Sequence, residues 1–488
     1  MMKAAWRWTK RAAIALGVVL ATVLGVRAWD SLSGPPLEPW HTFVPAELSA
    51  GEIARSDWAG YRAAEEAAFD EVRREVSAKL APRARVASNR YLAGGPLDPA
   101  GFSVDWNRSF VLEPDGTPAG AAVLLHGLTD SPYSVRNAAR RYRDRGYVAV
   151  AIRLPGHGTV PAGLVDVEWE AWSEATRLAV REARRRAGAT VPLHVVGYSN
   201  GGALAMKYAL DALDDGALPR PDRIVLVSPM IGVTSLARFA GVVGWPALFP
   251  SFARAAWLDI VPEFNPFKYN SFPVNAARQS SLVARRLQER ILAHARDGRL
   301  AELAPVLTFQ SVVDFTVSTQ AVVSALYAHL PPNGSELVLF DLNRSAVFAP
   351  FLRGAAEAKL ANLLPDAPRP WRATVVTNAD PGRLDVVERS VDAGSADERV
   401  RTLALAWPPD VFSLSHIALP FPADDPLYGL DPDPAESFGV RLGAMALRGE
   451  RGTLVMSIDS LTRMSSNPFF PYLLARIDEG IASAPARP

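Results

Sequence analysis

The stretch VVGYSNGGALAMKYAL, residues 195–210, decides how the rest of the chain is read. It opens as an apolar strand, turns at Gly197-Tyr198-Ser199-Asn200-Gly201, and continues as a helix. A serine between glycines at the end of a buried strand has two uses. It is either part of a tight strand-to-helix turn or a nucleophile held at a sharp elbow. The glycines favour the second use, because a strained serine needs small neighbours where strand and helix cross closely. The helix below it also offers unpaired N–H groups to developing negative charge. Ser199 is therefore the candidate nucleophile, and a plain turn is the alternative.

The flanking sequence supplies the rhythm that such an elbow needs. SFVLEP, DGTPAG and AAVLLHG, from residue 107, read as two strands and a turn. The helical SVRNAARRYRDRG, the strand YVAVAIRLPG and the helical WEAWSEATRLAVREARRR follow. Beyond the elbow come RIVLVSP, then PVLTFQS, the helical STQAVVSALYAHL and ELVLFDL. Nearly every strand is apolar throughout rather than alternating, which predicts an α/β protein with a mostly parallel sheet buried by helices on both faces. Residues 106–229 and 304–345 form this core, and 407–488 return to it through GTLVMSI and a helix over 468–481.

Between the halves, residues 230–303 are Pro- and aromatic-rich and then helical. An excursion there would lie over the carboxyl edge of the sheet, where open α/β sheets bind ligands; it is expected to be a cap. Residues 346–406 are less regular, with strand-like ATVVTN, LDVVERSV and TLALAWP. Upstream, 30–105 combine a linker (SGPPLEP) with a charged amphipathic segment from about Leu48 to Leu80. Its apolar stripe of Trp58, Tyr61, Ala64, Ala68, Val72, Val76 and Leu80 predicts a helix packed on its own domain.

The first 29 residues place Lys3, Arg7, Lys10 and Arg11 ahead of an apolar run from Ala12 to Val26. As a helix that run spans roughly 22 Å, short of the ~30 Å hydrocarbon core. It fits a signal peptide, with an uncleaved membrane anchor as the other reading, and either one predicts an exported protein. The 52 Lys and Arg balance 51 Asp and Glu for a net charge of +1, which gives no nucleic-acid footprint. With no cysteine, thiolate catalysis and cysteine metal sites are excluded. No H-x-x-x-H pair or phosphate-binding glycine loop is present. Three N-x-S triplets, at Asn107, Asn333 and Asn343, read as turns.

A serine nucleophile needs an oxyanion hole, a base and an acid. HGLTDSP, 126–132, leaves the strand beside the elbow, which nominates the backbone N–H groups of Leu128 and Asn200 as the hole. His126 itself reads as a packed, strand-ending residue. GYSNGG with HGLTDSP and RLPGHGT resembles the α/β-hydrolase superfamily, in the branch of monoacylglycerol lipases, lysophospholipases and small carboxylesterases. The resemblance covers about residues 107–330 and extends to QSVVDFTV, 310–317. It implies a cap over an acyl pocket, no metal or organic cofactor, and Asp314 as the acid, where a helix-capping turn is the alternative.

The base follows by elimination among seven histidines. His41 precedes the fold, His194 is inside a strand, His294 is in the cap helix, and His329 is in the helix after Asp314. His157 belongs to PGHGT, a loop expected to wall the site rather than to supply the base. His416, in FSLSHIALPF, remains in the chain order Ser…Asp…His. Asp314 and His416 are 102 residues apart, farther than the resemblance leads one to expect, so 346–406 is read as an insertion before the histidine. The expectation is a serine hydrolase of lipid-like carboxylic esters acting on a small-molecule substrate, with membrane contact only through an uncleaved first helix. An exported aminopeptidase or amidase, or a tethered binding protein with a dead elbow, are the alternatives.

Overall fold

The computed structural model describes residues 2–33, 36–232, 250–345, 352, 354, 360–445, 454 and 457–482. Its centre is a sheet in the order β1-β3-β2-β4-β5-β8-β9-β10-β11-β12. These strands are β1 (Phe110–Leu112), β2 (Gly120–Leu125), β3 (Tyr147–Ile152), β4 (Leu193–Tyr198) and β5 (Arg223–Val227), then β8 (Val306–Ser311), β9 (Glu336–Phe340), β10 (Arg372–Asn378), β11 (Asp385–Val391) and β12 (Glu398–Ala406). β6 (Trp257–Asp259) and β7 (Phe272–Pro273) form a separate ribbon. From β3 through β10 neighbouring strands pair in parallel; β1, β11 and β12 are antiparallel additions at the edges.

The uninterrupted apolar strands have their physical reason in the two core layers. Successive side chains of a strand point to opposite faces. In β2, Ala121, Val123 and Leu125 join a cluster with Trp172 and Leu204, from the helices Trp169–Ala187 and Asn200–Asp214. Ala122 and Leu124 join the other face with Tyr142 and Leu473, from the helices Arg136–Asp144 and Phe470–Ala482. β2, β3, β4, β8 and β9 are buried along their whole length.

Residues 372–406 of the expected insertion extend this sheet by three strands. β10 pairs in parallel with β9, and β11 and β12 fold back as a meander. β12 is largely exposed and carries its own ion pairs, Glu398 with Arg389 and Arg401 with Glu388. A charged outer strand of this kind blunts edge-to-edge association.

The amphipathic stretch after residue 48 forms two helices rather than one. Ser49 and Glu52 make a capping box for Ala50–Arg55, and Asp57 accepts from the Gly60 N–H to start Trp58–Glu75. The two caps lie eight residues apart, and the apolar stripe begins only after the second, at Trp58. The second helix packs on its own domain: the Tyr61 hydroxyl donates to the Arg153 carbonyl, and buried Glu65 accepts from Ser109 and Arg153.

Of the expected cap, residues 233–249 lie outside the described residues. Its long helix, Val274–Arg296, sends Val283, Leu287 and Ile291 into the main core, so it is a wall of the body as well as a roof. His41 is buried against it, its Nε2 3.0 Å from Ser271 Oγ and its ring edge-on to Trp257. The residues before the sheet thus help to fix the excursion. Asn107 and Asn343 are buried, and their side-chain amides donate to the distant Pro266 and Val411 carbonyls. The stretch GTLVMSI lies mostly outside the described residues, and the helix near the C-terminus runs Phe470–Ala482.

Candidate active site

The chain leaves β2 to one neighbour, β3, and returns on the other side as β4, so the sheet reverses its winding between β2 and β4. Crevices at such switch points, outside the carboxyl ends of strands, are where open α/β sheets bind ligands. The loops HGLTDSP and GYSNG both open there.

Ser199 has φ 54° and ψ −116°, a conformation that costs an L residue energy and persists only where its surroundings enforce it. Its N–H donates to the Val227 carbonyl at 3.0 Å, and its carbonyl accepts from Met230 at 3.0 Å. The glycines are required by contact. A Cβ on Gly197 would lie 2.3 Å from the Gly201 carbonyl oxygen, and one on Gly201 2.2 Å from that of Leu125.

Three side chains far apart in sequence meet at this bend. His416 Nε2 lies 3.0 Å from Ser199 Oγ, and His416 Nδ1 lies 2.8 Å from Asp314 Oδ2. All three are buried. Burial alone pushes the Asp314 carboxyl up, but His416 and the Val317 and Thr316 N–H groups outweigh it, and the net direction is below the ordinary carboxylate value. The carboxylate therefore accepts from Nδ1–H, which leaves Nε2 as an acceptor facing the serine hydroxyl.

His416 follows β12 in the chain, yet the end of β9 holds its loop. The Asn343 N–H and side-chain amide donate to Phe412 and Val411 carbonyls, each at 2.9 Å. Tyr198, next to the serine, donates its hydroxyl to the His416 carbonyl at 3.2 Å. The long separation from Asp314 is absorbed by the three added strands, after which the chain comes back across the sheet edge.

On the facing loop, Thr129 has φ 60°, and its carbonyl accepts from Tyr269 at 2.7 Å. Neither the Leu128 nor the Asn200 N–H has a hydrogen-bond partner among the described residues. His126 is structural: Nδ1 is 2.9 Å from the Gly127 carbonyl, and Nε2 accepts from the Leu154 N–H at 3.0 Å. Burial holds its pKa down to about 3, so it stays neutral as a brace between the ends of β2 and β3.

Above Ser199 is a pocket of about 380 Å³, lined among others by Leu128, Phe272, Ala277, Val317 and Ile417. Lys268 and Arg463 also line it, and the sequence reading passed over both. The available signal was that Lys268 is the lone charge in FNPFKYNSFP. Among the described residues no cluster of three or more histidine, aspartate or glutamate side chains could hold a metal ion.

The sequence family described as serine aminopeptidase, S33, has a model that matches residues 116–341. Residues 116–341 belong to the α/β-hydrolase superfamily, and the chain has its fold. The matched stretch contains Ser199 and Asp314 and stops short of His416, just under half of the hydrolase's length. Among curated proteins no sequence matches it significantly. Of solved structures, one from a description of the metagenome-derived lipolytic enzymes LipS and LipT is 21% identical, covering 48% of this hydrolase and 87% of that chain at a TM-score of 0.38. A monoacylglycerol lipase of Paleococcus ferrophilus is 18% identical, with 52% and 98% covered at 0.35. A soluble variant of the Saccharomyces cerevisiae monoglyceride lipase is 12% identical, with 47% and 81% covered at 0.36. Likenesses of this strength assign no activity, and the chemistry is read from the hydrolase's own atoms.

One tether of the histidine segment is testable by itself. Asp425, nine residues after His416, is fully buried and accepts from the Tyr133 hydroxyl at 2.8 Å and from Arg136 at 2.9 Å. Removing one partner of a buried pair strands the other charge, at about 3–5 kcal/mol. Asp425→Ala is expected to lower the urea midpoint by that equivalent at an unchanged m value. A loss below about 1 kcal/mol would show that the segment is held by other contacts.

Proposed function

We propose that this hydrolase cleaves carboxylic esters by covalent catalysis at Ser199. The observation that carries the reading is the unbroken relay from Ser199 Oγ through His416 to Asp314, at 3.0 and 2.8 Å, beneath a pocket. Ser199 Oγ attacks the carbonyl carbon while His416 Nε2 takes its proton. The Leu128 and Asn200 N–H groups donate to the oxyanion. His416 then gives the proton to the departing alkoxide, leaving an acyl-serine. Water, deprotonated by the same imidazole, attacks the acyl carbon, and the acid leaves as Ser199 regains its proton. Asp314 holds the tautomer and stabilises the imidazolium throughout.

The family description suggests aminopeptidase activity as a second reading. An aminopeptidase must seat a free α-ammonium, for which a carboxylate is the natural partner. The described lining offers two cations, Lys268 and Arg463, and no carboxylate. The pocket's charge therefore favours esters. Export remains part of the proposal, resting on the basic flank and apolar run at the N-terminus; no described helix is long and apolar enough to cross a membrane.

A fluorophosphonate should label the wild-type protein at Ser199, and p-nitrophenyl esters of graded length should turn over faster than aminoacyl p-nitroanilides. Folded protein that stays unlabelled would make it a binding protein of hydrolase shape. Anilides preferred over esters would return the aminopeptidase reading.

A further inference from the structure

Among the described residues Lys268 has no carboxylate at ion-pair distance, although buried Asp130 and Glu263 act on it from farther away. Its Nζ donates to Thr129 Oγ1 at 2.9 Å and reaches the Leu128 carbonyl at 3.4 Å, both neutral acceptors. An ammonium carries three donors, so one is left over. Among the described residues no carboxylate lies within ion-pair distance of Lys268 or of Arg463, whose guanidinium donates to Thr316 Oγ1 at 2.6 Å. Burial pulls the Lys268 pKa down, with Asp130 acting against that pull and Arg463 adding to it. Two other buried cations meet carboxylates, Arg136 with Asp425 and Arg153 with Glu47 and Glu65, whereas buried Arg90 is held by the neutral oxygens of Asn265, Asn107 and Gly158. Desolvated charge left unpaired is costly, and a ligand that completes the pair recovers that cost.

A second group points the same way. Ser281, on the helix Val274–Arg296, is buried and lines the pocket, and among the described residues its Oγ has no hydrogen-bond partner. Two cations without a carboxylate at ion-pair distance and a hydroxyl without a partner, among the described residues, thus converge on the space above Ser199, whose other walls are largely apolar.

We propose that this pocket selects esters bearing an anionic group, a carboxylate or a phosphate, close to the scissile carbonyl, and that Lys268 is the residue that reads it. This rests on the ester hydrolase reading above. It adds a substrate class: the preferred ester is charged on its acyl or its alcohol side, rather than a wholly apolar acyl ester. Arg463, at the mouth, and Ser281 Oγ are auxiliary donors.

The test uses matched esters and the ratio of their kcat/KM values. On the acyl side the pair is mono-4-nitrophenyl succinate against 4-nitrophenyl butyrate. On the alcohol side it is 4-carboxyphenyl butyrate against its methyl ester. In one of the two pairs, Lys268→Met is expected to lower the anionic-to-neutral ratio by about tenfold or more, the scale of a charge-assisted hydrogen bond. Lys268→Arg should restore most of it. The affected pair identifies the side of the ester that carries the charge. If Lys268 merely braces the Leu128–Thr129 loop, the variant slows both members of each pair equally and the ratio stays fixed, which overturns the proposal. Failure of the underlying reading looks different: neutral esters are then not hydrolysed by wild type, and Ser199 is not labelled by the fluorophosphonate.

Discussion

Ser199→Ala is expected to lower kcat for ester hydrolysis by about 10⁴- to 10⁶-fold, with the melting temperature within about 2 °C of wild type. The reasoning separates the backbone from the hydroxyl. Alanine keeps the Cβ and the same strained φ, so the N–H to Val227 and the carbonyl to Met230 survive. Only Oγ is lost, and its one hydrogen-bond partner among the described residues is His416. Because serine and histidine act as a unit, His416→Ala should cost a similar factor. The double variant should cost little more than either single change. Retention of more than about 1% activity in Ser199→Ala, or additive losses, would mean that the relay is not the path of the reaction. A metal-assisted or water-mediated route would have to be sought instead.

The legibility of this chain differed from part to part, for physical reasons. Strands buried on both faces announce themselves as unbroken apolar runs, and β2, β3, β4, β5, β8 and β9 lie where such runs predict. Ser199 was legible because its glycines mark close backbone approaches, Gly197 to Gly201 within the turn and Gly201 to Leu125 at the end of β2. His416 was reached by exclusion, and the structure brings it to Ser199 and Asp314. What delivers it was not legible. The anchors are two hydrogen bonds from Asn343 and one from Tyr198, between segments far apart in sequence, and no periodicity encodes them.

β10 to β12 were visible as strand-like segments, but their place in the main sheet depends on pairing register with β9. The break at Ser56-Asp57 was written in the capping residues, just ahead of the stripe that starts at Trp58. Lys268 was overlooked because its meaning lies in what it lacks. The absence of a partner carboxylate is a property of three-dimensional neighbours, and a lone lysine in an aromatic stretch reads as a solvated side chain.

Acid is expected to destabilise this hydrolase steeply between pH 6 and 5, before its carboxylates titrate in bulk. Burial lowers the pKa of His126 and His194 to about 3 and of His41 to about 4, and holds His157 well below its ordinary value. In the unfolded chain each imidazole takes up a proton near pH 6.5. As pH falls below 6.5 the unfolded state gains these protons and the folded state does not, so stability drops until the folded values are reached. Each imidazole contributes about 1.4 kcal/mol per pH unit in this window. Asp130 and Glu263 work in the opposite sense, because burial raises their pKa and the folded state binds their protons first. Asp314, held below its ordinary value, adds its loss only at pH under about 3.8. The net slope of unfolding free energy between pH 6 and 5 is therefore expected at about 3–5 kcal/mol per unit, read from urea midpoints at closely spaced pH. His194→Gln should flatten it by about one proton's worth, since that ring's polar contact is the Tyr142 hydroxyl at 3.1 Å. A slope no larger than a single imidazole explains would mean that these rings are protonated in the folded protein. His126 would then bring a positive charge beside the Leu128 loop, and the electrostatics of the oxyanion site would have to be redrawn around it.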